Sequence, residues 1–381
     1  MKILIVDAYY PRYLEYALGR MDITGLGYRE LLDRVLNLRF GTADFYSRNL
    51  RELGHEADDI IFNCEVLQRR WAEEHGGLFA ASLKKRLTDW LGGWRFRRRR
   101  VCADAPLVEI AMRQVEAARP DVLYLQSLDL FPPEALRSLR GIVRLIVGQI
   151  ASPLPEKRFL REFDLILTSF PHFVGRFRAM GIASEYFRIG FDPIVLKDLQ
   201  GIERHRSCTF VGGISPAHRS RIAFLERLAR SVDIEFFGYG AETLGSSSAI
   251  LGRYRGEAWA MDMYRVLVES RITVNAHIDV AEHYANNMRL YEATGCGALL
   301  VTDEKDNLAE LFRPNVEVVT YRSVEEAIEK IRYFSSHPEE ARCIAHAGQV
   351  RTLTEHTYRN RMEELVNILG RYLRGRARES I

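Results

Sequence analysis

Asn287-Met288-Arg289-Leu290-Tyr291-Glu292-Ala293-Thr294-Gly295-Cys296-Gly297-Ala298-Leu299-Leu300-Val301-Thr302 decides how the rest of the chain is read. Residues 287–294 read as a helix, and Asn286 or Asn287 stands where its cap is needed. Gly295 and Gly297 let the helix end close to the apolar run 298–302, which reads as a buried parallel strand. Upstream, residues 272–276 read as another such strand. Strand, loop, helix, glycine turn and strand make one βαβ unit.

The same alternation extends outward in both directions. Residues 208–211 predict a strand followed by Gly212-Gly213 and a helix over 216–229. Residues 234–237 predict the next strand, ending in Gly238-Tyr239-Gly240, and 261–270 a helix. In the first half, strands are expected at 3–6, 59–62, 121–125, within 139–147, and at 163–168. Helices are expected at 42–53, stopped by Gly54, and after Pro106 up to 118. The chain has 381 residues, for which two domains is the default count. Residues 197–206 are polar and aperiodic and read as a linker. The expected class is α/β, with two Rossmann-like domains whose parallel sheets face across a cleft. Residues 1–196 form the first domain and 207–381 the second, with terminal helices.

Composition excludes several classes. Net charge is +3, so overall electrostatics select no partner. Five cysteines, none closely spaced, argue against a disulfide framework and a C-x-x-C motif. The apolar run at the N-terminus is too short for a signal peptide, and no stretch approaches the ~20 apolar residues that span a bilayer. A reducing, cytoplasmic setting is expected.

Chemistry is sought just after the strands, where open α/β sheets bind ligands. Gly212 and Gly213 would let the backbone approach a phosphate or sugar, with His218 and Arg219 near to neutralise a diphosphate. A plain tight turn explains them equally. Tyr254-Arg255-Gly256 would hold a nucleobase, or is simply a loop. The helix at 287 offers unpaired amides and a partial positive charge to a diphosphate. Glu292 would accept hydrogen bonds from two ribose hydroxyls.

The pattern Asn287-x-Arg289-Leu290-x-Glu292-Ala293-x-Gly295-Cys296-Gly297-Ala298 resembles the donor site of CgeB-like glycosyltransferases of the GT-B class. His337-Pro338-Glu339 and His356-Thr357-Tyr358-x-x-Arg361 fit the same pattern downstream, as Phe210-Val211-Gly212-Gly213 does upstream. The resemblance implies sugar transfer from a nucleoside diphosphate sugar to a hydroxyl acceptor, in bacterial surface or spore polysaccharide synthesis, without metal or other cofactor. It implies that Glu292 binds the donor ribose, that Asn287, Met288 and Arg289 meet the diphosphate, that Gly212, Gly213 and Arg219 line the opposite side, and that Tyr254, Arg255 and Gly256 lie near the base. Many related retaining enzymes carry two glutamates with seven residues between them. Tyr284 occupies the place of the first, and Glu282 is displaced by two. His277, Glu282 and Asn286 are therefore the candidates for the donor sugar.

The resemblance assigns the acceptor, a glycan or lipid-linked glycan, to the N-terminal domain. Tyr9 and Tyr10 follow its first strand, Gln126 and Asp129 a later one, and Gln149 to Ser152 another. An inverting transferase needs a general base, for which Asp129 and His172 are the candidates. Asp129 would otherwise cap a turn, and His172 would open a helix after Pro171. Trp90, Trp94 and Arg97, Arg98, Arg99 and Arg100 mix aromatic and basic groups, an expected peripheral contact with an inner membrane face. No recognition motif points to nucleic acid. A nucleotide-sugar epimerase and a non-catalytic glycan- or nucleotide-binding module are the competing readings.

Overall fold

The computed structural model describes residues 1–76, 105–214 and 219–379. The chain divides into two compact units. Unit one comprises Met1–Phe187 and Met362–Ile381, and unit two comprises Arg188–Arg361.

Unit one contains β1 (Lys2–Asp7), β2 (Glu56–Ile61), β3 (Val122–Leu125), β4 (Leu145–Ile150), β5 (Leu165–Thr168) and β6 (Ser184–Tyr186), in the order β2-β1-β3-β4-β5-β6. All pairings are parallel. β3, β4 and β5 are buried along their whole length, as strands covered on both faces must be. Gln149 lies inside β4 rather than after it. Its carboxamide oxygen accepts from Tyr46 Oη at 3.1 Å and Tyr124 Oη at 2.5 Å, which satisfies it within the core.

Unit two contains β7 (Arg206–Val211), β8 (Glu235–Phe237), β9 (Ser270–Asn275), β10 (Leu299–Asp303) and β11 (Val319–Tyr321), in the order β11-β10-β9-β7-β8. These pairings are also parallel. Its core joins Phe210, Phe236, Val274 and Val301 of the strands to Leu225 and Leu228 of the helix Arg219–Ser231. In both sheets the first strand lies between the second and the third, so the winding direction reverses at one edge of the first strand.

The three-residue strands β6 and β11 and the helices Pro11–Leu18 and Tyr28–Asn37 are additional to the elements expected from sequence. The division at Phe187 also differs from the expected linker at 197–206. That polar segment is spoken for inside unit two. Pro193–Leu199 is a 3₁₀ helix capped by Asp192, and Arg204 donates to the carbonyls of Ser270 (2.7 Å) and Cys296 (2.5 Å). The helix Tyr358–Glu379 ends in unit one, where Tyr372 Oη donates to Glu185 at 3.3 Å. Trp90, Trp94 and Arg97 to Arg100 lie outside the described residues. Among the described residues no helix is long and apolar enough to cross a membrane.

Candidate functional site

The switch point of unit two lies between β7 and β9, whose carboxyl ends run into Gly212-Gly213 and Ala276-His277. Glycine shapes this edge. Gly212 N donates to Phe237 O at 2.9 Å, and Ile214 N to Tyr239 O at 2.8 Å. At Gly238, with φ +135°, a β-carbon would stand 1.9 Å from Gly212 O. Two turns therefore touch where no other residue fits.

Arg221 crosses the crevice. Its Nη2 donates to Ala276 O at 3.0 Å and its Nη1 reaches Gly213 O at 3.4 Å, so one guanidinium spans both strand ends. The helix phase puts it there. Arg221, Leu225 and Leu228 fall at i, i+4 and i+7, and the two leucines are buried. Burial lowers the Arg221 pKa, opposed by Tyr239 and Asp303. Its Nε is buried without a hydrogen-bond partner, which typically costs about 1–3 kcal/mol.

His277 is fixed beside it. Asp303, which ends β10, accepts from both His277 N at 3.1 Å and the ring Nδ1 at 2.6 Å. Lys305 Nζ stands 3.3 Å from the other carboxylate oxygen. Asp303 is held below its ordinary pKa against its burial, by His277 first and then Lys305. A proton on Nδ1 leaves Nε2 to accept a hydrogen bond. That Nε2 is buried and has no partner.

The helix Met288–Gly295 opens on the same edge. Asn287 caps it, accepting from Leu290 N at 3.2 Å, and its amide donates to Asn275 Oδ1 at 2.7 Å. The Met288 and Arg289 amides thus head a helix whose third amide alone is capped by a side chain. Arg289 Nε donates to Val211 O at 3.1 Å, and its Nη1 pairs with Glu292 at 2.8 Å. Burial raises the Glu292 pKa, opposed by Arg289. At Gly297, with φ +74°, a β-carbon would meet Arg204 Nη2 at 2.7 Å. The sharp return into β10 therefore requires glycine.

The remaining candidates are placed as follows. Tyr254 Oη donates to Gly238 O at 2.8 Å, and Gly256 O accepts from Gly238 N at 3.0 Å. Arg255 turns to the start of β8 and pairs with Glu235 at 2.7 Å. Asn286 is buried just before the cap. Glu282 is exposed and holds φ +49°, ψ −119°, a conformation costly for a residue with a β-carbon. Its carbonyl accepts from Lys305 Nζ at 2.8 Å. Arg219 begins the helix Arg219–Ser231; its side chain, like His218, lies outside the described residues.

In unit one, Asp129 accepts from Ser127 Oγ at 2.9 Å. His172 is in the first turn of the helix Pro171–Ala179, edge-on to Phe173. The two follow β3 and β5, with β4 between, so the sheet order does not bring them together. Sequence reasoning passed over Arg221 and Asp303. The signal for Arg221 was a cation in register with an apolar stripe. Among the described residues, no three of His, Cys, Asp and Glu converge on a metal-binding position.

Residues 219–367 match the model of a family described as glycosyl transferase-like. No curated protein matches the chain. Three solved structures illustrate the fold. Sucrose-phosphate synthase of Thermosynechococcus elongatus is 10% identical, with TM-score 0.62, covering 98% of this chain and 100% of that one. HepE of Anabaena, in complex with UDP-glucose, is 14% identical, with TM-score 0.60 and coverage of 97% and 99%. AviGT4, a glycosyltransferase involved in avilamycin A biosynthesis, is 16% identical, with TM-score 0.58 and 98% coverage of both chains. The two parallel-sheet Rossmann-like units of this chain thus have the fold of GT-B glycosyltransferase structures.

Proposed function

We propose that the protein transfers a sugar from a nucleoside diphosphate sugar to a hydroxyl acceptor, and that the β7–β9 crevice of unit two binds the donor. The observation that carries this reading is Arg221, a half-buried guanidinium across the switch point whose buried Nε is unsatisfied. A diphosphate oxygen supplies the missing acceptor, and charge-assisted bonds to phosphate are among the stronger ones. The amides of Met288 and Arg289 add a helix start. Glu292, buried and paired with Arg289, takes the ribose hydroxyls. His277 Nε2, held in its accepting tautomer by Asp303, takes a hydroxyl of the donor sugar. When the sugar leaves, the growing negative charge on the diphosphate is stabilised by groups already in place.

The test is a panel of UDP-, GDP-, ADP- and dTDP-sugars, read by thermal shift and by release of the nucleoside diphosphate. At least one donor is expected to stabilise the wild type, and Glu292→Ala to lose that shift. No shift from any donor would contradict the proposed function, and an undiminished shift in Glu292→Ala would remove Glu292 from the site.

A further inference from the structure

The loop over residues 276–287 joins β9 to the helix Met288–Gly295 and carries His277 at one end and Asn287 at the other. Between them it makes one 3₁₀ turn, Asp279–Ala281, and then turns sharply at Glu282 (φ +49°, ψ −119°). A loop of this length must find partners for its buried backbone groups and must be held in one shape. The segment that follows β10 supplies both. Lys305 Nζ donates to Glu282 O at 2.8 Å. Asp306 N donates to His283 O at 2.9 Å. Asn307 is buried and clasps Ala285: its Oδ1 accepts from Ala285 N at 2.6 Å, and its Nδ2 donates to Ala285 O at 3.2 Å. Consecutive residues after β10 thus run alongside the second half of the loop and tie it down.

Lys305 differs from the other two. Its ammonium also stands 3.3 Å from Asp303 Oδ2, while Asp303 Oδ1 accepts from His277 N and Nδ1. Each carboxylate oxygen has its own partner, and turning the carboxylate would break one of these bonds. The Lys305 side chain is 17% exposed and the His277 side chain is fully buried, so water competes weakly for these groups. After His277, Lys305 is the cation that helps keep Asp303 charged against its burial. One ammonium therefore joins two features of the crevice. The first is the brace of the imidazole, and the second is the left-handed residue of the loop, a conformation that persists only where its surroundings hold it.

We propose that Lys305 is a positioning residue for the donor sugar. It acts through Asp303 and Glu282, setting His277 Nε2 and the loop backbone relative to each other so that both meet the sugar in one geometry. A group that recognises hydroxyls must be held by contacts of its own, and small displacements of it weaken what it recognises. The proposal rests on the β7–β9 crevice being the donor site, whereas the joint at Lys305 belongs to unit two whatever the crevice binds.

Lys305→Met keeps the stem and removes the ammonium, and Lys305→Arg restores a cation. A cavity of about 610 Å³ beside Asp303, Lys305, Asp306 and Tyr321 gives the longer side chain room. In the full chain without ligand, hydrogen exchange of the amides over residues 282–286 is expected to quicken at least about fivefold in Lys305→Met and to return towards wild type in Lys305→Arg. UDP-glucose, GDP-mannose, ADP-glucose and dTDP-glucose are then titrated calorimetrically, each beside its own nucleoside diphosphate. For a donor that the wild type binds, Lys305→Met is expected to weaken the sugar nucleotide about tenfold, or ~1.4 kcal/mol, while the nucleoside diphosphate stays within about twofold of wild type. Lys305→Arg should recover most of that loss. An unchanged ratio between the two ligands would overturn the proposal, and so would unchanged exchange in the loop. If the wild type binds neither a sugar nucleotide nor a nucleoside diphosphate, the donor reading fails and the sugar role of Lys305 with it. An unchanged ratio in a protein whose wild type binds both removes Lys305 alone.

Discussion

The first and third strands of the two units end in opposite chemistry. Between β7 and β9 stands Arg221, bonded to the Gly213 and Ala276 carbonyls, with His277 and Arg289 on adjoining segments. Between β1 and β3 stands Asp7, bonded to a hydroxyl and a backbone amide, with a carboxamide beyond. The strand order around the two points is the same. Topology therefore sets where the strands of each sheet end, while the first residues past them set the chemistry those ends present. A guanidinium with an unpartnered N–H suits an anion, and a carboxylate beside a hydroxyl repels one.

The contrast breaks most completely by filling one crevice. Gly238→Ala places a β-carbon 1.9 Å from Gly212 O at a φ of +135°. The expected cost is roughly 3 kcal/mol or more. Thermal unfolding should show the destabilisation, and UDP binding should disappear.

Protonation sharpens the contrast next. Asp59, buried on β2 against Ser47, is pushed by burial from 3.8 up to about 7. The folded state thus binds that proton more tightly than the unfolded chain. The stability it contributes is complete below about 3.8 and is lost as pH rises through about 7. Asp303 has the opposite sign. Its depressed pKa contributes stability above 3.8 that disappears as pH falls through the lowered folded value. In Asp59→Asn, denaturant unfolding should lose much of the decline in stability between pH 4 and 8, an effect of a few kcal/mol. An unchanged pH profile would remove Asp59 as its source.

A smaller effect is expected from Asp303→Asn, which removes the carboxylate holding His277 Nδ1–H. Donor-sugar turnover should fall about tenfold, or ~1.4 kcal/mol. UDP affinity should change less, because Arg221 and the helix start remain. An equal loss in both would place His277 at the diphosphate instead of the sugar.

How much of this was legible in the sequence differed between the units. The second crevice is built largely from contiguous pieces. Asn287, Arg289, Glu292 and Gly297 lie in one helix and its turn, so local spacing alone brought them to one edge. Arg221 is legible as a cation in register with Leu225 and Leu228, but sequence alone does not separate it from Arg219 at the same helix start. Asp7 was not legible as the centre of a polar cluster. Its partners Thr42 and Gln126 are far away in sequence and meet it only because β3 pairs with β1, and strand order is a tertiary fact. The polar segment 197–206 read as a linker for a similar reason: Arg204 satisfies carbonyls at Ser270 and Cys296 that sequence cannot place beside it. Strands β6 and β11 are too short, at three residues each, for periodicity to register.

The most direct measurement is calorimetric titration of UDP into the wild type, Arg221→Ala and Asp7→Ala. The opposite chemistry of the two crevices predicts that Arg221→Ala loses about 10- to 100-fold in affinity, the worth of a charge-assisted bond, while Asp7→Ala binds as the wild type does. UDP binding that survives in Arg221→Ala, or that falls equally in Asp7→Ala, would contradict the assignment of the nucleotide to the crevice of unit two.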